Sequence, residues 1–492
     1  MKVVNTLFLL FLFPTLIWLL PGCSDETSNL TVEQNNYDRI QPYPSNPYYW
    51  QYKGEPVLLI GGSWQDNLFN HPTMLAEHLD VLVSAGGNYA RNTMSHRNVG
   101  NVFAWEQNEE GLYDLNRFYD EYWNRFEHFL ELAFERDIIV QIEIWDPWDL
   151  HEDHQSFGGW SFNPFNPSNN INYTPEESGL PVEADYPPQT NPTDHPFWRS
   201  VPELHHNELL LSYQKAFVDK LLSYSLEYPN ILYCMNNETG EPNEWGDFWA
   251  DYVQARAEEA GVSVFITDMR RNENIRSADH LHIFDNPERY TFVDISQNNA
   301  WSGLGQAHYD NILYVRDQIS GQPRPINNNK NYGAARHGED ESVARMSRIF
   351  FAGAASARFH RPHPYEDPAY MYEKSDFGLG LSPRAQKVIR SLRTVFDEIA
   401  FYQMEPRNDL LGDRNENEAY LLANPGNEYA IYFQQEGSVT LNTDITEDIL
   451  HYRWINIDEA EWSQQGTLDT DSELRFTTPG PGQWIVVIQK TQ

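Results

Sequence analysis

Cysteine is almost missing from this 492-residue chain, which has only Cys23 and Cys234. A disulfide framework is therefore excluded, and Cys234, set alone in an apolar run, reads as a small buried hydrophobe. Cations are scarce as well: 34 Lys and Arg stand against 72 Asp and Glu, a formal net charge of −38. Such a chain has no basic footprint for nucleic acid, and its acidity points to solubility rather than to a cationic substrate. No glycine-rich dinucleotide or phosphate loop follows a strand-like run, which argues against Rossmann and P-loop chemistry. No Gly-x-Ser-x-Gly elbow is present either, which disfavours serine-based hydrolysis. His205-His206, His151 with His154, and His360 with His363 lie close in sequence but lack the spacing and flanking ligands of zinc sites. Neither a metal nor a cofactor is expected.

What the chain does have begins with Met1 to Gly22. Lys2 is followed by the apolar run Leu7 to Leu20, too short and wrongly flanked for a comfortable membrane span. It closes in Leu20-Pro21-Gly22-Cys23, which resembles a bacterial lipobox, so residues 1–22 are expected to be a lipoprotein signal peptide and Cys23 the lipidated residue. The other reading is an ordinary secretory peptide with Cys23 incidental. Residues 23–46 would be a polar tether. The expected location is a bacterial cell envelope, at the outer-membrane surface or in the periplasm, with the anchor as the chain's link to the membrane.

Between 47 and 400, apolar β-type runs alternate with helical patterns. The expected strands are Val57–Gly62, Asn88–Asn92, Ile138–Trp145, Ile231–Tyr233, Val262–Asp268, Phe292–Ser296 (preferred over Leu281–Asp285), Arg324–Asn329 and Ala357–His360. Eight βα units suit a (β/α)8 barrel better than an open doubly wound sheet. Gly158 to Pro202 is a long loop without periodicity, of the kind usually functional or disordered. From 401 to 492 the pattern changes to short alternating runs split by Gly, Pro and Asn, expected to form an antiparallel β-sandwich. That module would brace the barrel or bind sugar.

The stretch Asn230-Ile-Leu-Tyr-Cys-Met-Asn-Asn-Glu-Thr-Gly240 places Asn237 and Glu238 at the C-terminal tip of the fourth strand, where parallel α/β folds put their chemistry. As a helix cap Glu238 would be displaced by Asn243, which lies nearer the next helix. In a barrel the other strand tips share that face: Trp64 and Asp66, Arg91 and Asn92, Trp145 and Asp146, Asp268 and Arg270, Gln297 and Asn298, Asn328 and Lys330, His360 and Arg361. Carboxylates, amides, cations and tryptophans at the tips suit sugar chemistry. A glycosidic bond is cleaved by one protonated carboxyl group and one carboxylate, amides and Arg hold hydroxyls, and indoles form platforms. Fifteen Trp and 28 Tyr agree with that use.

Asn237-Glu238 and Arg91 look like the (β/α)8 glycoside hydrolases with catalytic glutamates on strands four and seven. The resemblance implies that Asn237 contacts a sugar 2-hydroxyl and that Glu238 is the general acid/base. Gly61-Gly62-Ser63-Trp64, Gly353-Ala-Ala-Ser-Ala-Arg-Phe-His-Arg-Pro362 and the C-terminal module are similar to the apiosidase-like hydrolases, secreted and lipid-anchored proteins of the Bacteroidetes type that often carry a collagen-binding label. The chain departs from the superfamily at strand seven, where Ile326-Asn-Asn-Asn-Lys-Asn-Tyr-Gly333 holds no carboxylate. Asp146 or Asp268 as base in an inverting reaction, or Glu339 folding back as nucleophile, would fill the gap, although an acidic residue in a first helical turn is ordinary. The expectation is thus a glycoside hydrolase acting on a plant or algal glycan. Glu238 is the acid, and Asp146, Asp268 and Glu339 are candidate partners. Trp64, Asp66, Arg91, Asn92, Trp145, Asn237, Gln297, Asn298, Trp301, Lys330, His360 and Arg361 bind substrate. Cations including Arg270, Arg271, Lys330, Arg336, His337, His360, Arg361 and His363 either clamp an anionic sugar or pair with nearby acids. The alternative is a non-hydrolytic glycan-binding lipoprotein on the same barrel.

Overall fold

The computed structural model describes residues 38–490 except 72, 97–99, 151–158, 184–194, 300–302, 333–336, 362–377, 444, 446–448 and 471–472. The expected leader, Cys23, Trp301, Arg336 and His363 lie outside the described residues.

Eight short parallel strands are formed by β1 (Leu59–Gly62), β2 (Tyr89–Thr93), β3 (Ile139–Trp145), β4 (Ile231–Asn236), β5 (Ile266–Thr267), β6 (Val293–Asp294), β7 (Ile326–Asn327) and β8 (Ser356–Phe359). They alternate with helices α1 (Leu75–Ser84), α2 (Asp120–Glu135), α3 (Glu208–Ser225), α4 (Asn243–Glu259), α5 (Ala278–Asp285), α6 (Gly305–Gln318), α7 (Glu339–Phe351) and α8 (Pro383–Glu398). One parallel sheet runs β5-β4-β3-β2-β1-β8, and β6 with β7 forms a two-stranded ribbon. Backbone bonds from Phe292 N to Ile266 O (3.4 Å), Ala355 N to Ile326 O (2.9 Å) and Arg358 N to Asn328 O (3.1 Å) join the ribbon to both sheet edges. Strand β3 is buried throughout, as expected of a strand covered on both faces, which explains its near-continuous apolar run. At Gly61 a Cβ would stand 2.0 Å from Tyr89 O, so close packing of β1 on β2 requires glycine there.

Several expectations change in detail. Val262–Asp268 contracts to Ile266–Thr267, and Leu281–Asp285 belongs to helix α5. Asn243 is the first residue of α4 rather than its cap, which is Pro242.

The barrel interior below the strand tips is polar. Tyr89 donates to Gln141 Oε1 (2.6 Å), Gln141 Nε2 to Asp294 Oδ2 (2.8 Å), and Asn327 Nδ2 to Gln141 Oε1 (3.2 Å). Burial pushes the Asp294 carboxyl up to about 6. A small antiparallel sheet of Gln41–Pro42, Trp50–Tyr52 and Glu55–Val57 closes the end where the strands begin. Its Trp50 is fully buried, packs edge-on against Phe265 and Phe292, and donates its indole N–H to Asn327 Oδ1 at 2.9 Å.

After residue 400 two antiparallel sheets follow. Six strands (Glu405–Pro406, Ala419–Asn424, Glu428–Phe433, Trp484–Lys490, Ile449–Asn456 and Glu461–Asp469, in spatial order) form the larger one. Leu411–Gly412, Ser438–Leu441 and Arg475–Thr477 form the smaller. Alternation along the large sheet sends Tyr420, Leu422, Ala430, Tyr432, Ile485 and Val487 into the barrel's apolar cluster. The intervening Leu421, Tyr429, Ile431, Phe433 and Val486 join Val439, Leu441 and Phe476 of the small sheet. The strand Glu461–Asp469 was not expected, because its run is largely exposed and polar, with Trp462 and Leu468 as its apolar residues packed on the clusters.

Candidate active site

The tips of β2, β3, β4, β7 and β8 converge on one guanidinium. Arg91, on β2, is fully buried and donates Nε and Nη2 to the two carboxylate oxygens of Glu143 on β3 (2.7 and 2.6 Å). Its Nη1 pairs with Asp66 Oδ1 (2.5 Å), and Nη2 also reaches Asn237 Oδ1 (2.9 Å). Burial favours a neutral guanidine, but Glu143 and Asp66 reverse that and raise its pKa further. Glu143, itself fully buried, also accepts from Asn329 Nδ2 at 2.9 Å. Asp66 is bound in addition by Arg361 Nε at 2.7 Å, with His360 Nδ1 3.6 Å away. Burial keeps His360 neutral, its pKa well below the usual imidazole value. Beneath them the buried Arg358 donates to Ser63 Oγ (2.5 Å) and Phe359 O (3.1 Å), while its Nε and Nη2 have no acceptor among the described residues. Burial and the neighbouring Arg91 lower its pKa to about 10.

Beside this cluster stands Glu238. Its backbone takes a left-handed φ of 52°, which costs a residue with a Cβ on the order of 1–3 kcal/mol and is held only where the surroundings dictate it. Lys330 Nζ and Tyr332 OH both donate to its Oε1, and Lys330 Nζ also donates to Asn237 Oδ1. Burial alone would push the Glu238 carboxyl up. The Lys330 charge, the hydrogen bonds from Lys330 and Tyr332, and Arg91 outweigh it and hold the group at about 2. Burial and Arg91 bring the Lys330 ammonium below its ordinary pKa, against the pull of Glu238 and Glu143. Asn237 spans the site: its Nδ2 donates to Asp146 Oδ1 at 2.9 Å. Asp146 and Glu238 are thus linked through Asn237 and Lys330.

Of the residues expected at the site, Asp66, Arg91, Asp146, Asn237, Glu238, Lys330, His360 and Arg361 come together. Others do not join them. Asp268 accepts from Asn236 N (3.0 Å), Asn236 Nδ2 (2.8 Å) and Arg270 Nη1 (3.2 Å), and lies so close to α4 that a Cβ on Gly246 would meet its Oδ2 at 2.7 Å. Glu339, 59% exposed, pairs with Arg384 on α8. Trp145 is buried among Phe197, Phe217, Trp245 and Trp249 rather than laid open as a platform. Trp64 packs edge-on against His78. Asn92 accepts from Phe69 N at 3.2 Å, and Asn298 bonds His308 O (3.3 Å) and Asn311 (2.8 Å), so both fasten loops. Gln297 is buried, and its Nε2 has no acceptor among the described residues. Glu143 and Tyr332 were not anticipated. The signal for Glu143 was present in Gln141 and Glu143, spaced two apart in an otherwise apolar strand and therefore on one face.

No protein-family profile matches the chain, and no curated protein does either. Solved structures do match. A glycoside hydrolase family 5 protein from Bacteroides vulgatus is similar at a TM-score of 0.60 and 14% identity, over 93% of this chain and 94% of its own. A protein named only as a glycoside hydrolase gives 0.61 at 14% identity, over 93% and 98%. A family 5 mannosidase from Rhizomucor miehei gives 0.51 at 13%, over 74% and 98%. The barrel is of the TIM type. At these identities the likeness is one of fold.

Proposed function

We propose that this chain is a glycoside hydrolase of the Asn-Glu kind, with a (β/α)8 catalytic barrel at 47–400 and a β-sandwich at 401–492. In the same reading it is held at a bacterial cell envelope through Cys23, and its substrate is a plant or algal glycan. The observation that carries the reading is Glu238, a carboxylate on a left-handed backbone at the tip of β4, bonded by Lys330 and Tyr332 and flanked by Asn237. At rest this carboxylate is ionised. To serve as general acid it takes up a proton once a bound glycan draws Lys330 away and removes the charge that lowers its pKa. Asp146 is the partner the geometry favours, because Asn237 ties it to the same group, whereas Asp268 bonds Asn236 and Arg270. Asp146 would act as base on water at the anomeric carbon. The cations Arg91, Arg270 and Arg361 each pair with a carboxylate.

A second reading, a non-hydrolytic glycan binder, is favoured by one observation: Lys330, not a carboxylate, follows β7, and Asp66 and Glu143 are both neutralised by Arg91. One assay separates the two. Wild type and Glu238→Gln are incubated with a panel of plant and algal glycans and the released saccharides measured. The hydrolase requires release by wild type and a loss of about two orders of magnitude or more in the variant. Binding without release establishes the binder.

A further inference from the structure

The ladder between β6 and β7 ends before the chain reaches the barrel mouth. Ile295 N bonds Asn327 O at 3.0 Å, and the β6 side then turns into the short 3-10 helix Ser296–Asn299. The segment after β7 still runs on to Lys330, whose ammonium donates to Glu238 and Asn237. Toward β8 this segment keeps a backbone partner, Asn331 N to Arg358 O at 2.9 Å. Toward β6, side chains replace the ladder. Asn329 N donates to Ser296 Oγ (2.8 Å), and Asn299 Nδ2 donates to both Lys330 O and Asn328 Oδ1 (3.0 Å each).

Asn299 is fully buried and is held from two further elements. Its Oδ1 lies 2.6 Å from His308 Nε2 on α6, and its backbone O accepts from Arg345 on α7. Two acceptors face the Nδ2 end, so the amide has one orientation that serves every partner, with its oxygen toward His308. Burial, with Arg348 and Arg345 nearby, keeps His308 neutral, and Nε2 carries the hydrogen that Oδ1 accepts.

We propose that Asn299 is a positioning residue: it holds the Lys330 backbone where the ammonium reaches both Glu238 and Asn237, in place of a strand partner that β6 no longer supplies. The inference concerns the acid of the glycoside reading, but it rests on the ion pair at that acid and not on what the site cleaves. A buried carbonyl stripped of its donor costs stability whatever lies beyond it, so a purely structural Asn299 shows that loss alone. A positioning Asn299 also sets the charge state of Glu238, because Lys330, Tyr332 beside it and Arg91 on β2 are the groups that lower that carboxyl.

The test is urea unfolding of the full chain from about pH 2 to 6, each protein being compared with the same protein carrying Glu238→Gln so that other titrations cancel. A carboxyl held below its unfolded pKa contributes stability that grows as pH rises, here from about 2 to 4.5. The gap between wild type and Glu238→Gln should grow through that window. Asn299→Ala is expected to cut the growth by about a third, which corresponds to raising the folded carboxyl by roughly one unit. His308→Leu, which keeps both donors but loosens their aim, should act in the same direction and decides the matter if Asn299→Ala does not fold. Asn298→Ala is the control, since the Asn298 side chain bonds His308 O and Asn311 rather than Lys330, and its loss should be even across pH. The readout is stability, so it is independent of whether any glycan is cleaved. Undiminished growth in a folded Asn299→Ala protein, or an equal cut in Asn298→Ala, would overturn the positioning role.

Discussion

Lys330 and Glu238 form an ion pair across the barrel mouth, their side chains 1% and 13% exposed. The pair fixes the charge state of the site. It holds Glu238 at about 2 against an ordinary 4.5, worth on the order of 3 kcal/mol of stability. A depressed carboxylate contributes that stability above its unfolded pKa and loses it as pH falls through the folded one. Wild type should therefore weaken between about pH 4.5 and 2. Lys330→Met should flatten this part of the profile in urea unfolding followed against pH, and should move upward the alkaline limb of any activity, which the protonated Glu238 sets. An unchanged profile would show that Lys330 does not set the Glu238 charge.

Arg91 pairs with two buried acids at once. Arg91→Met leaves Glu143 uncompensated and Asp66 with Arg361 as its cation, and should cost about 3–5 kcal/mol. Arg91→Lys should recover little, since an ammonium cannot reproduce the fork that meets both oxygens of Glu143. Arg91→Met combined with Glu143→Gln should recover much of the loss, because the stranded charge is gone. Chemical denaturation of the three variants reads this out, and additive losses would count against the coupling.

Trp50 fills the closed end of the barrel and satisfies Asn327. Trp50→Ala removes a fully buried indole and should cost about 3–5 kcal/mol. Trp50→Phe should cost less while still leaving Asn327 Oδ1 without its donor. Thermal unfolding of both variants checks the order.

Apart from its exposed edge strand Glu461–Asp469, the large C-terminal sheet is largely buried on both faces, one of them against the barrel. Polar bonds reinforce the junction: Arg348 Nη1 to Gln434 Oε1 (2.6 Å), Ser391 Oγ to Ile457 O (2.7 Å) and Gln483 Nε2 to Asp340 O (2.7 Å). A chain ended at residue 400 would expose the apolar sides of α7 and α8, and should aggregate or bind a hydrophobic dye where the full chain does not. A soluble, monomeric truncation would refute this.

The strands β1, β3 and β4 were legible because they are largely apolar runs bounded by turn residues, which period separates from the helices. Strands β5, β6 and β7 shrink to two residues each, since their ends are held by side chains such as Thr291 and Ser356 rather than by a ladder. Such bonds leave no periodic trace. Position in the barrel also brought Glu238, Asn237 and Arg91 together at the strand tips, as the structure places them. It could not tell side chains turned to the mouth from those turned to the helices, which is why Asp268 and Trp145 were grouped with Glu238. Pairing was equally hidden: that Arg91 would absorb both Glu143 and Asp66 follows from the register of β2 on β3 and the path of the loop after β1.

The small sheet that floors the barrel also fixes where the chain enters. Ile40 N bonds Pro229 O at 2.9 Å and Arg39 Nη1 bonds Tyr228 O at 2.7 Å, both just ahead of β4 and at the end opposite Glu238. The described chain thus starts beneath the floor, and the mouth at the other end of the strands is left clear of it.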